Sequence, residues 1–379
     1  MKTKKPKLKI LFISRTYPPI VGGMEKISYQ LIHSIHKLDE TRVKALVNKR
    51  GKKFLLPFII IAVLKGLQIG RKFKIVHLSD AVLAPVGEII KMVYPKTKVI
   101  CTVHGLDLTY GYKSKLYYTF NIKALRNLDK IIAVSQETQK EAVKLGVPRD
   151  KVTVINNGID PQEFYSTQYR RKDLVKLIKS RAKNKQFWQK HQDFFEKKDY
   201  KFIFTVGRLC KRKGISWFIK KVFANLDKNT IYLIAGAGKE KEKILKSIQE
   251  KKLSKRIFFL GFVSEKEKKL LFNTVDLFIQ PNIKVPGDME GFGVTMLEAA
   301  SCKLPVIASN LEGIKDALTH KENGILIEPK DKIKYIKVIN RFLEDDDLRK
   351  LFAEKARQYT KERFDWKIIA RQYLKEFKS

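Results

Sequence analysis

Cysteine is scarce in this sequence of 379 residues. There are only 3 cysteines, and Cys101, Cys210 and Cys302 lie far apart, with no C-x-x-C motif among them. This spacing gives no pairing pattern for a disulfide framework, and it suits a reducing cytoplasm, where a small buried thiol is the default. The first apolar run, residues 10–13, is only as long as a strand, so we expect no secretory signal.

Several motifs of nucleotide binding and catalysis are also missing. There is no Walker-type Gly-Lys-Ser/Thr loop and no G-x-G-x-x-G after the first predicted strand, and Gly236-Ala237-Gly238 is only a fragment of that fingerprint. Ser, His and Asp do not occur in an order typical of a hydrolytic triad. No D-x-D-type pair indicates an obligatory divalent metal. We therefore expect neither a metal site nor a bound cofactor.

Acidic residues are few beside basic ones. Against 79 Lys and Arg there are 39 Asp and Glu, which gives a formal net charge of +40, with a local maximum between Arg170 and Lys201. Three interpretations remain open: a solvated Lys-rich surface, attraction to an anionic membrane, and nucleic-acid binding. The last is the least favoured, because the sequence has no paired Cys/His ligands and no aromatic strand motif of the RNA-binding kind.

Short apolar runs alternate with helical stretches through most of the chain. Near-continuous apolar strands separated by helices indicate parallel sheets covered on both faces. Because the pattern restarts halfway, we predict an α/β protein with two successive, doubly wound, Rossmann-like domains. The predicted strands are residues 9–14, 42–47, 75–78, 98–103, 130–134 and 152–155, then 201–206, 230–235, 257–260, 277–280, 305–308 and 324–327.

The domain boundaries follow from this pattern. We place the first domain at residues 1–165, a charged linker or helical insertion at 166–200, and the second domain at 201–355. Residues 356–379 are expected to form a C-terminal helix that packs back on the first domain. Ligands of such sheets bind outside the carboxyl ends of the strands, so we expect the site where these ends of the two domains face each other.

Two apolar stretches of the first domain leave a membrane contact open. Residues 54–64 are intensely apolar but shorter than the roughly 20 residues that span a bilayer. We favour a buried helix here, with shallow interfacial insertion as the alternative. In residues 113–128, helical spacing predicts one apolar face, which packing on the sheet and membrane docking explain equally well. That face comprises Leu116, Tyr117, Phe120, Ala124 and Leu128.

The most informative segment is residues 288–298. Glu290 and Glu298 are separated by seven residues that begin with Gly291-Phe292-Gly293, a sequence that can open a helix. Glycine permits close approach of the backbone, and the N–H groups of a helix start favour anionic oxygen. Carboxylates accept hydrogen bonds from sugar hydroxyls. The pattern is typical of a site for a hydroxyl-rich diphosphate ligand, the alternative being two surface glutamates beside an ordinary junction.

Three further features indicate the same kind of ligand. Arg208 and Lys213 follow a predicted strand between two glycines, as a diphosphate clamp would, although two more basic residues in a basic protein are the alternative. Gly22-Gly23 follows the first strand and can present amides to phosphate, or form a plain turn. His104 ends the strand 98–103, where a functional imidazole is favoured over a structural hydrogen-bonding one.

Taken together, these residues resemble glycosyltransferase family 4, the retaining nucleotide-sugar enzymes of the GT-B fold. The resemblance runs from Gly22-Gly23 to Phe364-Asp365-Trp366, and it is most specific in the glutamate block and the basic loop. One departure is Pro281-Asn282, where the family often has Pro-Ser. The resemblance implies that Glu290 contacts the donor sugar and Glu298 the ribose. It also implies that His104 touches the sugar near the reacting carbon. The implied donor-binding residues are Gly22, Gly23, Arg208, Lys213, Phe292, Gly293, Val294 and Glu298.

The function implied by this resemblance is transfer of a hexose from a nucleotide sugar to a hydroxyl. The expected acceptor is a lipid-linked or envelope glycan at the cytoplasmic face of the membrane, with the enzyme bound peripherally and no metal required. A soluble enzyme of the same fold, either a nucleotide-sugar epimerase or a sugar-phosphate glycosyl transferase, is the alternative. A basic nucleic-acid-binding protein is less favoured, because carboxylates in the site would repel phosphodiesters.

Overall fold

The computed structural model describes residues 7–112, 114–181 and 200–379. These residues form two compact units, each built on a six-stranded parallel sheet. The first unit takes its members from Met1–Gly158, Gly287–Phe292 and Phe364–Ser379. The second takes them from Ile159–Pro286 and Gly293–Arg363. The predicted α/β class with two doubly wound sheets is confirmed.

The first sheet has the strand order β2-β1-β3-β4-β5-β6, with every neighbouring pair parallel. Successive side chains of a strand point to opposite faces. Along β1, Leu11 and Ile13 belong to the core on one face, and Ile10 and Phe12 belong to the core on the other. The strands are β1 Leu8–Ser14, β2 Thr41–Val47, β3 Ile75–Leu78, β4 Lys98–Val103, β5 Lys130–Ala133 and β6 Val152–Val154.

Helices cover both faces of this sheet. On the β1 face that carries Phe12, the C-terminal helix Trp366–Lys378 buries Trp366, Tyr373 and Phe377. The hydroxyl of Tyr373 lies 3.1 Å from that of Thr102, which ties this helix to β4. The helices of the first unit are Gly23–His36, Leu55–Ile69, Ala84–Val93, Leu106–Thr109, Lys115–Tyr117, the π-helix Tyr118–Ile122, Lys123–Asn127, Gln136–Lys144 and Trp366–Lys378.

The second sheet has the order β12-β11-β10-β7-β8-β9 and is also parallel throughout. One of its faces carries an aromatic cluster of Phe204, Phe272 and Phe278. Its strands are β7 Lys201–Val206, β8 Thr230–Ala235, β9 Ile257–Gly261, β10 Leu277–Gln280, β11 Val306–Ser309 and β12 Ile325–Ile327. The helices are Arg171–Arg181, Ile215–Lys221, Lys241–Glu250, Glu265–Thr274, Val294–Ser301, Ile314–Ala317, Lys332–Glu344 and Asp346–Phe364.

The charged segment predicted as a linker or helical insertion is helical in its described part. Residues Arg171–Arg181 form a helix whose Leu174, Val175 and Ile178 are buried. The guanidinium of Arg171 lies 3.1 Å from the carboxylate of Asp276, so this helix is fastened to the second unit. Residues 182–199 lie outside the described residues. The contact-based division falls after Gly158, earlier than the predicted boundary at residue 165.

The apolar stretch at residues 54–64 is not the buried helix that we favoured. It belongs to the helix Leu55–Ile69, in which only Phe58, Ala62 and Gly66 are buried. These three residues are four apart and form one stripe, and Ile59, Val63 and Ile69 are half-buried against the same core. Packing within the unit therefore explains only part of the helix's apolar composition, because Leu56, Ile60 and Leu64 remain exposed.

The single apolar face predicted for residues 113–128 is also wrong. Leu116 and Phe120 are exposed, whereas Ala124 and Leu128 are buried. The reason is the π-helix Tyr118–Ile122, because its i→i+5 hydrogen bonds change the angle between successive residues from the α-helical value on which the prediction depends. The two ends of the segment consequently present their apolar residues in different directions.

Candidate active site

His104 is held directly after β4 by two hydrogen bonds. Its backbone N–H donates to Asp107 Oδ1 at 2.8 Å, and its ring Nε2 lies 2.9 Å from the carbonyl oxygen of Ser79. A carbonyl oxygen only accepts, so Nε2 carries the proton of the neutral ring, and Nδ1 is then the acceptor. The loop thus fixes both the orientation and the tautomer of the imidazole, which suits contact with a sugar hydroxyl.

A buried group of charges lies beside His104. Asp107 accepts a second N–H bond, from Ala81 at 3.1 Å, and Tyr117 donates to its backbone carbonyl at 2.7 Å. Burial raises the pKa of Asp107, while His104 and the two N–H donors act in the opposite direction. Arg15 pairs with Asp80 at 2.8 Å, which compensates a carboxylate that is fully buried. The loops after β1, β3 and β4 are therefore joined through polar side chains.

The segment Gly287–Phe292 belongs to the first unit and brings Glu290 next to the His104 loop. A Cβ placed on Gly291 would lie 2.0 Å from the carbonyl oxygen of His104, so only glycine permits this approach. Gly105 has a φ of +94° and packs closely against the same glycine. Glu290 itself is buried. The two residues predicted to be catalytic, His104 and Glu290, therefore lie on contacting loops.

The second unit builds its strand-end loops from glycine. A Cβ on Gly236 would lie 1.9 Å from the carbonyl oxygen of Gly207, and one on Gly214 would lie 2.0 Å from that of Pro281. Both glycines have positive φ values, +131° and +65°. These contacts hold the loop after β7 against the loops after β8 and β10. Several carbonyl and amide groups thus meet at one edge of the sheet.

The predicted diphosphate clamp lies in this glycine-bounded loop. Arg208 is exposed, whereas Lys213 is buried. The side chain of Lys213 extends toward the start of the loop, since a Cβ built on Gly207 would lie 3.8 Å from its Nζ. Because β7 and β10 are neighbours in the sheet, this loop and the segment that follows β10 share the same edge. Arg208 and Lys213 therefore lie at the carboxyl end of β7, where the sequence predicts the diphosphate clamp.

Glu298 lies on the helix Val294–Ser301, which begins after Gly293 with a φ of +89°. The residue is 3% exposed, and its Oε2 lies 3.1 Å from the Nζ of Lys268, which is 9% exposed. The contact is an ion pair without the alignment of a hydrogen bond. Lys268 also lies 4.7 Å from the ring centroid of Phe164. The ammonium group therefore fixes the position of the glutamate predicted to bind ribose.

The remaining predicted donor residues are divided between the units. Gly22 and Gly23 precede and begin the helix Gly23–His36 of the first unit. A Cβ on Gly22 would lie 2.1 Å from the Glu25 carboxylate, so this helix start already carries a negative charge. Phe292 is buried, with its ring 6.1 Å from that of Phe364. Gly293 and Val294 belong to the second unit.

Two family models match this chain. The model described as Glycosyltransferase Family 4 matches residues 16–163, and the one described as Glycosyl transferases group 1 matches residues 186–359. The chain belongs to the family 4 type of glycosyltransferases. The family and the GT-B fold implied by the resemblance in the sequence are confirmed.

Three known members or structural relatives illustrate the similarity. An uncharacterized glycosyltransferase of Methanocaldococcus jannaschii is 26% identical over 318 residues, covering 81% of this chain and 75% of the relative. The Escherichia coli UDP-Gal:alpha-D-GlcNAc-diphosphoundecaprenol alpha-1,3-galactosyltransferase is 24% identical over 377 residues, covering 91% and 90%. The crystal structure of Anabaena HepE in complex with UDP-glucose has a TM-score of 0.74 at 20% identity, covering 98% and 99%.

Three charged residues lie beside predicted site residues but were not predicted from the sequence, namely Arg15, Asp80 and Lys268. Arg15 and Asp80 come shortly after β1 and β3, so their position at strand ends was a usable signal. Lys268 shares the buried face of the helix Glu265–Thr274 with Leu271 and Phe272, and a lysine at such a position is itself a signal.

No metal site is found in the part of the chain that the structure describes. Among residues 7–112, 114–181 and 200–379, no three His, Cys, Asp or Glu side chains are grouped as metal ligands would be. Independence from a metal remains a prediction.

Proposed function

We propose that this glycosyltransferase is a retaining enzyme that moves a hexose from a nucleoside diphosphate sugar to a hydroxyl of a lipid-linked or envelope-glycan acceptor. It would act at the cytoplasmic face of the membrane, as a peripheral protein. The observation that carries the proposal is the buried Glu298, which is paired with Lys268 on the segment that follows β10, while the basic, glycine-bounded loop of Arg208 and Lys213 follows the neighbouring strand β7. A nucleoside diphosphate requires a carboxylate that accepts hydrogen bonds from its ribose hydroxyls, and cations that bind its phosphates.

Two relatives support the choice of substrates. The similar Anabaena HepE crystallises with UDP-glucose, which supports a UDP-sugar as donor. The E. coli relative acts on a sugar linked to diphosphoundecaprenol, and supports a lipid-linked acceptor. We extend both properties to this chain as part of the proposal.

The proposed chemistry needs no covalent intermediate on the protein. The bond from the anomeric carbon to the diphosphate oxygen breaks, and the acceptor hydroxyl forms a bond on the face that the diphosphate leaves. The departing phosphate takes the hydroxyl proton. Arg208 and Lys213 stabilise the negative charge that grows on the diphosphate, an interaction stronger in the transition state than in the ground state. Because the two cations stabilise this charge, the proposed mechanism includes no metal or other cofactor.

The first unit supplies the residues proposed to contact the sugar. The orientation of His104 leaves Nδ1 as an acceptor for a sugar hydroxyl, and Glu290 lies on the adjoining loop. Trapping a glycosyl-enzyme on Glu290 or Asp107 would contradict the proposed mechanism.

The donor part is tested by thermal unfolding with a panel of nucleoside diphosphates in the absence of metal. A ligand at about 100-fold over its Kd should stabilise the native state by about 2.7 kcal/mol. We expect one nucleotide to do so, and Glu298→Ala and Arg208→Ala to abolish the shift. No shift with any nucleotide, in folded wild-type protein, would contradict the donor assignment.

The transfer part is tested with the matching nucleotide sugar and a lipid-linked sugar diphosphate. We expect a product whose new glycosidic bond has the anomeric configuration of the donor, as determined by NMR. Inverted configuration would refute retention. Conversion of the donor without an acceptor would instead indicate an epimerase.

A further inference from the structure

The helix Leu55–Ile69 is apolar on both its inner and its outer side. The inner stripe of Phe58, Ala62 and Gly66 is buried against the sheet. On the outer side, Leu56, Ile60 and Leu64 follow the same spacing of four residues, and they are 74%, 61% and 63% exposed. Packing within the protein accounts for the inner stripe and for the half-buried Ile59, Val63 and Ile69 beside it, but not for the three exposed residues. An outer apolar stripe of this length is typical of a surface that contacts another apolar phase.

Neighbouring helices extend the outer stripe. The helix Ala84–Val93 packs closely against Leu55–Ile69, since a Cβ on Gly66 would lie 2.7 Å from the Cδ1 of Ile90. It exposes Met92, and it also contacts the π-helix Tyr118–Ile122. These helices all cover the same face of the first sheet. We define the outer apolar surface by its most exposed members, Leu56, Ile60, Leu64, Met92, Leu116 and Phe120.

The charges around the outer apolar surface are nearly all positive. Residues 49–79, which contain the helix Leu55–Ile69, carry eight Lys and Arg and no Asp or Glu. Residues 108–128 likewise have no acidic residue. The helix Ala84–Val93 has one, Glu88, whose carboxylate accepts a hydrogen bond from Asn127. Lys52, Lys53, Arg71 and Lys72 are exposed at the two ends of the apolar helix. An apolar surface bounded by cations is complementary to an anionic lipid interface.

The packing of the helix Leu55–Ile69 within the first unit decides whether it can cross a bilayer or only contact one leaflet. By length and composition alone, the 21 residues Lys52–Lys72 could cross a bilayer. However, the inner stripe is part of the core of the first unit, and a span would require that core to be opened. The folded protein can therefore offer only the outer side of the helix to lipid.

We propose that the outer apolar surface inserts into one leaflet of an anionic bilayer, with the helix Leu55–Ile69 lying along the interface and the flanking Lys and Arg at the lipid phosphates. This inference rests on the proposed function, because it names the surface through which the enzyme reaches a lipid-linked acceptor. Binding should have two separable parts, an electrostatic part that salt screens and an apolar part that salt does not weaken.

The test is co-sedimentation of the full chain with vesicles of phosphatidylcholine, with and without phosphatidylglycerol, at about 0.1 M and about 1 M salt, where the Debye length is about 10 Å and about 3 Å. The test variant combines Leu56→Asn, Ile60→Asn and Leu64→Asn. Its matched control combines Ile333→Asn and Leu351→Asn, which are equally exposed in the second unit. All five positions are solvent-exposed, so unfolding temperatures should stay close to that of the wild type.

We expect the wild type to bind anionic vesicles at both salt concentrations. The triple variant should bind at least about tenfold more weakly at high salt, and the control should bind like the wild type. Equal binding by the triple variant and the wild type would overturn the assignment of the surface. Wild-type binding that vanishes at high salt would overturn insertion.

Two further readouts separate this inference from the proposed function. Nucleotide-dependent stabilisation and transfer to a soluble acceptor analogue report on the enzyme without a membrane. If both persist in the wild type while vesicles fail to bind, the inserted surface is refuted and the glycosyltransferase proposal stands. If the protein binds vesicles but no nucleotide stabilises it, the donor assignment is refuted and the inference of an inserted apolar surface stands.

Discussion

The strand-end loops of the two units are built in different ways. In the first unit, the loops after β1, β3 and β4 are joined by side chains, with Arg15 paired to Asp80 and Asp107 accepting two N–H bonds. In the second unit, Gly214 and Gly236 let the backbones of neighbouring loops touch. Protonation of one group can weaken a network of ionisable side chains. A close contact between glycine backbones is instead disrupted by a single added methyl group. The predictions below test this contrast.

The largest expected effect concerns a buried histidine of the first unit. Burial, helped by the nearby His104, lowers the pKa of His77 from 6.5 to about 3. Below pH 6.5 the unfolded chain protonates this residue and the native state does not. Its contribution to stability is therefore complete above that pH and is lost progressively as the pH falls toward about 3, by on the order of 4–5 kcal/mol.

His77→Gln should make the unfolding free energy fall less steeply over this acid range. Denaturant unfolding at several pH values measures the slope, and His36→Gln, at an exposed position, is the control. Identical slopes for wild type and His77→Gln would show that the histidine is not buried in its neutral form.

The next effect concerns the buried ion pair between Lys268 and Glu298 in the second unit. Lys268→Met leaves the buried carboxylate of Glu298 without its ammonium partner, which should cost about 3 kcal/mol of stability and weaken nucleotide binding. Lys268→Arg should retain most of both, because it keeps the charge. Lys266→Met, on the exposed side of the same helix, is the control. Calorimetric titration that finds unchanged nucleotide affinity for Lys268→Met would rule out a positioning role.

A third prediction separates sugar contacts from nucleotide contacts. His104→Ala should lower kcat by about 100-fold, because it removes an interaction proposed to act at the reacting sugar. The Kd for the nucleoside diphosphate should stay within about twofold of the wild type, since Arg208, Lys213 and Glu298 are intact. Steady-state kinetics and titration measure the two quantities. A large rise in Kd with kcat unchanged would reverse the assignment.

The smallest expected effect comes from comparing two glycine-to-alanine variants, one that disrupts a close backbone contact and one that does not. Gly236→Ala introduces a Cβ 1.9 Å from the carbonyl oxygen of Gly207 at a φ of +131°, whereas Gly261→Ala meets nothing within 4 Å at a φ of +68°. The second variant should lose about 1 kcal/mol from strain alone. The first should lose at least about 2 kcal/mol and bind nucleotide more weakly. Equal losses in denaturant unfolding would mean that the loop contact contributes nothing.

Local sequence patterns predicted the sheets well, because a fully buried parallel strand must be apolar along its whole length. Residues 98–103 and 201–206 become β4 and β7 with the predicted bounds. The helix Leu55–Ile69 shows the limit of such patterns. Its sequence is apolar on nearly every side, so no periodicity indicates which stripe meets the sheet, and the close contact of Gly66 with Ile90 decides it.

The sequence by itself determined the chemistry available: carboxylates beside a Gly-Phe-Gly, a basic loop between glycines, and a histidine at a strand end. The tertiary structure decided which of these groups meet. It carries Gly287–Phe292 into the first unit, where Gly291 contacts His104, and it places Lys268 against Glu298. Both contacts join residues that are far apart in the chain, and such contacts depend on how the elements pack rather than on any local pattern.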